Sequence, residues 1–576
     1  MPSLTPERDG AEAPGGRSDA GATWLVSLLT LASRLLGFVR LVILVQLFGQ
    51  FRWASDALIF AFRIPNLFRN LLGEGALSAS FIPVFVRTRL RQGDASAARL
   101  GSETLTALGC LGGLLATGGA GIALAARGLA GGDAQSDLAL RLTALFFPFM
   151  PLVCLAALLG GMLQSLRRFA LPAAVSIILN LGFLAGFAHV YWIQCGGDLN
   201  RLDAVSSTQA IAVFVLAAGA VEVLLQWPAL AAAGIRLGPV LSFGHAGLKS
   251  VAGAFLPAAL GLGLVQVNAF CDSLIAGWLS LSDPGAVTYL EIGFRFMHLP
   301  LGVFGAAIAA VSFPALAASA ALGEREEFLG RLVRALRMSL FLILPASVFL
   351  VAMADPIIRL ACQRPDLAFG HAAVYRASLV LILYSGGLAF YSCRQILVRA
   401  YYAAGDYSYP VKVSAAMVGL NLALNLALIH CPDLYRLWNQ SYFRHWNLSP
   451  ADFPGGIRLG EAGLALSTLL TAAVDAAVLA LGLRKRLLGG LSGRFLSGEF
   501  SRLLHTALRL TVASAALGVM AWLYRNSIPY DPRLPLLLER AAVPGLLAAG
   551  TFYIIGVVLP LPEMAEFIPI LRRRKK

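Results

Sequence analysis

Charge is scarce in this sequence. Only 13% of the 576 residues are Asp, Glu, Lys or Arg, whereas 58% are hydrophobic. Soluble domains contain about 25% charged residues, so a water-soluble globular protein is excluded. The sequence also lacks a GxxxxGK[ST] phosphate loop, an HExxH zinc motif and a GxSxG nucleophile elbow. We therefore expect neither an enzyme nor an ATP-driven pump, and any transport would use an ion gradient, the membrane potential or a substrate gradient.

Cysteine is equally sparse. The seven cysteines are scattered and include no CxxC pair or other metal-ligand spacing. Packed thiols are the expected interpretation, and no metal or other cofactor is expected.

Apolar runs about as long as a membrane-spanning helix fill most of the chain. The pattern predicts an all-α polytopic membrane protein with about 14 transmembrane helices, because membrane β-barrels instead show short alternating strands. The predicted segments cover residues 24–49, 56–85, 102–126, 142–165, 171–190, 206–233, 251–280, 287–319, 338–352, 377–392, 413–429, 461–483, 503–524 and 541–561.

The net charge of +15 is explained by how the basic residues are distributed between the two sides of the membrane, and not by a nucleic-acid-binding surface. If the first segment starts inside, the inner loops hold about twice as many lysines and arginines as the outer ones, which is the positive-inside pattern. Both termini are then cytoplasmic. Basic residues interleaved with aromatics, which would indicate nucleic-acid binding, are absent.

An internal repeat divides the chain. The stretch AFRIPNLFRNLLGEGALSASFIPVFV from Ala61 is similar to GFRFMHLPLGVFGAAIAAVSFPALAA from Gly293. Two six-helix lobes in the same orientation, with the substrate site between them, are the expected result. The predicted organisation is a disordered tail (1–23), an N-lobe (24–233), a C-lobe (248–486), two additional helices (502–562) and a basic tail (563–576).

Six arginines lie within the apolar segments. An arginine at mid-membrane costs about 2.5 to 3.5 kcal/mol on the mild insertion scale, so a cluster of them indicates a wet cavity or buried partners. Their always-charged, planar guanidiniums suit phosphate better than a metal or a cationic drug. The alternative is that some of these arginines extend to the membrane interface (snorkelling) or pair with Asp56 and Glu74. This alternative is strongest for Arg509. The six are Arg34, Arg40, Arg63, Arg69, Arg295 and Arg509.

Other polar residues within the segments are weaker candidates. Asp272, Asn421, Asn425 and Asp475 are expected to form either a coupling-cation site or ordinary hydrogen bonds between helices. His298 follows Arg295 by three residues, and is either a cavity residue or an ordinary packed histidine.

Four stretches resemble the lipid II flippases of the MurJ (MviN) family, in the multidrug/oligosaccharidyl-lipid/polysaccharide exporter superfamily. They are SRLLGFVR from Ser33, SDALIFAFRIPNLFRNLLGEGALSASFIPVF from Ser55, FRFMHLPLGVFGAAIAAVSFP from Phe294 and YYAAGDYSYPVK from Tyr401. The resemblance implies two six-helix lobes plus two further helices. It also implies that lipid II, the undecaprenyl-pyrophosphate-linked peptidoglycan precursor, moves across the bacterial cytoplasmic membrane.

The resemblance also implies functional residues. Family arginines of the central cavity fall on Arg34, Arg40, Arg69 and Arg295, and a family aspartate falls on Asp56. Arg63, His298 and Glu74 are secondary candidates. The implied partners are lipid II, membrane lipids and proteins of wall synthesis, and coupling to a monovalent cation or to the membrane potential is expected.

The chain departs from the family at two positions. Leu41 stands where many relatives have an acidic residue, and His298 stands where some have one. A more positive cavity is therefore expected. Two other functions are kept as alternatives: export of another lipid-linked oligosaccharide, and a non-transporting scaffold for wall synthesis. A cationic-drug exporter would be expected to have acids, not arginines, in its cavity.

Overall fold

The protein is described here from a computed structural model. It describes residues 18–68, 77–129, 132–166, 168–240, 244–362, 370–431, 459–486 and 493–527, with isolated positions between 543 and 550. All regular structure in these ranges is helical, which confirms the all-α prediction.

The first half of the chain forms seven α-helices. They are α1 (Ser18–Leu47), α2 (Arg52–Phe68), α3 (Leu77–Ala126), α4 (Ala134–Phe146), α5 (Phe149–Ser165), α6 (Ala170–His189) and α7 (Ala204–Ala231). Aspartates begin two of them: Asp133 accepts a hydrogen bond from the Ser136 backbone N–H at the start of α4, and Asp203 accepts one from Ser206 at the start of α7. A π-helical turn, Val190–Gln194, extends α6.

The second half adds ten helices. They are α8 (Ala246–Ser282), α9 (Ala286–Pro300), α10 (Ala306–Ala321), α11 (Arg325–Ala352), α12 (Ala354–Cys362), α13 (His371–Gly386), α14 (Leu388–Ala403), α15 (Ser408–Leu428), α16 (Glu461–Arg486) and α17 (Gly493–Ser527). A π-helical turn, Leu301–Gly305, joins α9 to α10.

Several predicted segments consist of two helices. The fourth comprises α4 and α5, the eighth comprises α9 and α10, and the tenth comprises α13 and α14, which are bent by 40°. Within the described ranges nine helices are long and apolar enough to cross a membrane, or ten if the bent pair is one span. Fourteen spans therefore stay a prediction.

Some predicted regions lie largely or wholly outside the described residues. These are the fourteenth segment, the basic tail and residues 432–458, which lie between the eleventh and twelfth predicted segments. Helix α1 begins at Ser18, six residues before the predicted first span.

The helices of each half pack mainly on one another. In the first half α6 lies against α1 and α7, and α5 against α3 and α7; in the second half α13 lies against α9, and α15 against α16. The halves meet where α1 and α2 contact α9 and where α2 and α3 contact α8, while α17 packs along α11. A continuous buried core runs through both halves, so their interface is fixed by packing as well as by polar contacts.

The cysteines are all free thiols. Cys154, Cys195 and Cys362 are buried, as the packed-thiol prediction expects, whereas Cys110 and Cys431 are exposed.

Candidate functional site

A cavity of about 300 Å³ lies between α1, α2, α6 and α9, where the two halves meet. Four of the six predicted intramembrane arginines line it. Its residues are Ser33, Arg34, Gly37, Arg40, Leu41, Leu44, Leu58, Ile59, Phe62, Arg63, Asn66, Ser176, Leu179, Asn180, Phe183, Phe187, Glu291, Phe294 and Arg295.

Glu291 joins two of these arginines. Its Oε2 lies 2.9 Å from Nη2 of Arg63 on α2, and its Oε1 lies 2.8 Å from Nε of Arg295 one turn later on α9. Arg63 therefore pairs with an acid of the other half, and not with Asp56. Glu291 was not among the predicted residues, although an acid four residues before Arg295 on a helix indicates an ion pair.

Arg40 is held by aromatic rings. Its guanidinium carbon lies 4.3 Å from the centroid of the Phe183 ring and 5.8 Å from that of Phe62. Contact with a ring face partly offsets the loss of water around the cation. Gly37 does not interrupt α1, and Arg40 and Arg34 both line the cavity on a continuous helix.

Arg34 reaches across to the second half, against the π-helical turn. A Cβ added to Gly302 would lie 1.6 Å from the Arg34 Nη1 atom, so any other residue here would displace the guanidinium from this position. Arg34 is exposed, and it has no ion pair or hydrogen bond within the described part of the chain. Its charge is thus available to a ligand.

Asn180 fastens α6 to α1 beside the cavity. Its Nδ2 donates to the Ser33 carbonyl at 3.1 Å and to the Ser176 carbonyl at 2.9 Å. A Cβ at Gly37 would lie 3.5 Å from Arg295 Nη1, which places Arg295 close to α1. Arginines from both halves therefore converge on one space.

The cavity is positive overall. Four arginines against Glu291 alone give a net charge of +3 among the described lining residues. The more positive cavity expected from Leu41 and His298 stays a prediction. Because this charge lies among apolar helices, where water screens it weakly, it favours a multiply charged anion.

Asp56 lies elsewhere, at a second contact between the halves. Its carboxylate is fully buried and accepts hydrogen bonds from the Gly285 N–H (2.6 Å), the Thr288 N–H (2.8 Å) and the Thr288 hydroxyl (2.6 Å). It therefore caps the N-terminus of α9 from the other half of the protein. Arg52 adds a hydrogen bond to the Tyr289 hydroxyl at 2.8 Å. The structure gives Asp56 a place in this contact and not in the cavity lining.

Three of the cation-site candidates come together in the second half. Asn425 Nδ2 donates to Asp272 Oδ1 at 2.6 Å and to Asn421 Oδ1 at 3.1 Å, and Ser467 donates to Asn425. The cluster links α8, α15 and α16 through buried hydrogen bonds. Asp475 pairs with Arg394 instead, and both line a small cavity together with Asn421.

The remaining candidates are placed as follows. His298 is half-buried, with Nδ1 2.9 Å from the Phe294 carbonyl oxygen and its ring centroid 3.9 Å from that of Phe294, the two rings being tilted by 33°. It is absent from the cavity lining. Arg509 is exposed on α17. Arg69 and Glu74 lie outside the described residues. Among the residues that are described, no three His, Cys, Asp or Glu side chains group as metal ligands.

Comparison with known proteins decides the family. The model of the lipid II flippase MurJ family matches residues 44–437. The chain belongs to the MurJ family. A probable MurJ of Vibrio cholerae is 32% identical over 415 residues, covering 70% of this chain and 76% of the relative. A probable MurJ of Rhizobium tropici is 29% identical, and the match covers 95% of both chains.

Solved structures show the same fold. A lipid II flippase MurJ in an inward closed conformation has a TM-score of 0.70 at 19% identity, covering 93% of this chain and 98% of that one. An inward-facing MATE family transporter of the MOP superfamily has a TM-score of 0.62 at 12% identity, covering 80% of this chain and 97% of the transporter. The chain is a multi-pass bacterial membrane protein of a transporter family.

Proposed function

We propose that this protein flips lipid II from the inner to the outer leaflet of the bacterial cytoplasmic membrane. The observation that carries the proposal is the net-positive cavity at the interface of the two halves, in a chain of the MurJ family. Lipid II bears a pyrophosphate between its polyprenyl tail and its disaccharide peptide. Arg34, Arg40, Arg295 and the undescribed Arg69 would bind that pyrophosphate, because bidentate guanidiniums match phosphate oxygens.

Alternating access follows from the size of the cavity. A volume of about 300 Å³ is at the lower end of sites for drug-sized molecules, and a disaccharide peptide is larger than those. The halves must therefore part to admit the headgroup. The Arg63–Glu291 pair and the Asp56 contact both join the halves, so both are expected to break and re-form during the cycle.

The orientation and driving force are part of the proposal. Both termini are placed in the cytoplasm by the positive-inside pattern, and the protein acts as a secondary transporter. Moving one elementary charge through the membrane potential corresponds to about 2.3 kcal/mol per 100 mV. An inside-negative potential therefore favours export of the anionic headgroup.

We further propose that a monovalent cation couples to transport at Asp272, Asn421 and Asn425. A carboxylate and two amides in one buried cluster supply the oxygen ligands that such an ion needs. In vesicles, Asp272→Asn should abolish any stimulation of lipid II flipping by a sodium gradient. Stimulation of flipping by the membrane potential should be unchanged. Flipping by the wild type that responds to the potential and to no monovalent cation would contradict this site.

The function itself is tested by rescue. Expression of the chain should restore growth to a bacterium depleted of its own flippase, and lipid II should become accessible to a probe outside the cell. A non-transporting scaffold for wall synthesis would neither restore growth to this strain nor make lipid II accessible outside the cell. Reconstituted vesicles that flip no lipid II would overturn the proposal.

A further inference from the structure

A second basic cavity, of about 610 Å³, lies between α3 and the start of α8. Its lining comes from helices other than those that line the central site. Arg87, Thr88, Ser96, Arg99 and His245 line it, and no carboxylate of the described ranges does.

A kink in α3 creates this cavity. Gly93 has φ 85° and ψ 173°, a conformation that residues with a Cβ rarely adopt. Arg87 lies before the kink and Arg99 after it, and both line the same cavity as the start of α8. On a straight helix, residues twelve apart would lie about 18 Å apart along the axis.

A buried glutamate accepts hydrogen bonds from two of the residues that line the cavity. Glu103 is fully buried, and its two oxygens accept hydrogen bonds from Arg99 Nε at 3.2 Å and from the His245 N–H at 2.9 Å. The segment before α8 is also tied to α3, because the Gly238 N–H donates to Ser102 Oγ at 3.2 Å. Glu103 and Ser102 therefore hold α3 and the segment before α8 together without lining the cavity themselves.

Hydrogen bonds at both ring nitrogens hold His245 in place, and Ser96 Oγ donates to Gln92 Oε1 at 2.7 Å. The His245 Nδ1 accepts a hydrogen bond from the Gly247 N–H at 3.0 Å, so in the neutral ring the proton is on Nε2, 3.1 Å from Ser96 Oγ. Arg87 is exposed and has no ion pair or hydrogen bond within the described ranges. The start of α8, a helix of 37 residues, contributes its positive end.

We propose that this α3–α8 cavity binds a phosphate group, either of an anionic lipid headgroup or of a soluble phosphate compound. Arg87, which has no ion pair within the described ranges, and the Thr88 hydroxyl line the cavity together with the start of α8. Arg99 shares its charge with Glu103. A free guanidinium, a hydroxyl and a helix N-terminus are groups that bind phosphate. The residues from Arg87 to Arg99 lie between the second and third predicted membrane spans. Under the positive-inside pattern this region lies at the cytoplasmic surface, where anionic headgroups are found. The site is independent of the transported substrate.

The test compares two arginines of one helix. Arg87→Gln and Arg91→Gln each remove one exposed charge, but only Arg87 lines the cavity. The purified full-length protein is titrated with phosphatidylglycerol, phosphatidylcholine or sodium phosphate at constant ionic strength, and the thermal midpoint is followed. We expect the half-saturating concentration of the active ligand to rise about tenfold in Arg87→Gln and to stay within about twofold in Arg91→Gln.

The ligand arms identify the source of the phosphate. Stabilisation by phosphatidylglycerol alone supports a lipid headgroup, and stabilisation by sodium phosphate as well supports a soluble compound. Arg99→Lys keeps a charge beside Glu103 but loses the planar fork, so its affinity should fall less than that of Arg87→Gln. Equal losses in Arg87→Gln and Arg91→Gln would overturn the proposal, as would stabilisation by neither anionic ligand. Midpoints measured without ligand show whether each variant is folded.

Discussion

Replacing Arg34 with alanine should lower the rate of lipid II flipping by about 10- to 100-fold and abolish rescue of a flippase-depleted strain. Hydrogen bonds to charged groups contribute about 1.5 to 3 kcal/mol each, which gives this range for one lost contact to the pyrophosphate. Arg34 has no carboxylate partner in the described part of the chain, so its removal leaves no protein charge unpaired. The loss should therefore appear in transport and not in the thermal midpoint. Flipping is measured in vesicles as the change with time in the fraction of lipid II that an external probe reaches.

Arg509→Ala is the matched control for Arg34→Ala. Both arginines lie in spanning helices and are exposed, and neither has an ion pair among the described residues, but Arg509 does not line the cavity. Its removal should leave flipping within about twofold of the wild type. If Arg34→Ala flips lipid II as fast as Arg509→Ala does, the central cavity is not the pyrophosphate site.

The arginines were predictable because the membrane penalises them so heavily. A cationic side chain in an apolar segment needs water, a ligand or a partner, and this requirement holds before any contact is known. Four of the six do line one cavity at the interface of the halves. Helices α2 and α9, whose sequences the repeat matches to each other, are in contact in the structure, and the repeat itself stays a prediction.

Their partners were harder to predict. Arg63 and Glu291 are separated by 228 residues, and Asp56 and Thr288 by 232, so no local spacing reveals either contact. Asp56 was expected among the substrate-binding residues because the family resemblance places an aspartate there. The fold instead brings its carboxylate to the unpaired N–H groups of α9, which attract any nearby acid.

Gly302 shows a different limit. A glycine in a membrane helix is ordinarily explained by close helix packing. Here the space at Gly302 is filled by the guanidinium of Arg34, from a helix in the other half. Nothing in the local sequence indicates which side chain occupies that space, because the neighbour is chosen by the packing of α1 against α9 and the adjoining π-helical turn.

Replacing Asp56 with alanine should shift the protein strongly towards the state in which the α2–α9 contact is open. The substitution removes three buried hydrogen bonds and leaves two backbone N–H groups of α9 without their acceptor. Losing one partner of a buried polar contact costs about 1 to 3 kcal/mol per group, so the open population should rise about 10- to 100-fold or more. A single cysteine at Ala57, a buried neighbour on α2, reports this opening in an otherwise cysteine-free chain. Its labelling by a membrane-impermeant maleimide should increase by the same factor.

Asp203→Ala separates this effect from loss of a helix cap. Asp203 also caps a helix, α7, but the aspartate and the helix belong to the same half. Its removal should cost about 1 kcal/mol of stability and leave labelling at position 57 unchanged. Asp56→Asn retains one acceptor oxygen but turns an amide group towards the N–H donors, so it should open the contact nearly as far as alanine does. If labelling rises equally in Asp56→Ala and Asp203→Ala, the change reflects general destabilisation, and Asp56 is not what holds the halves together at this end.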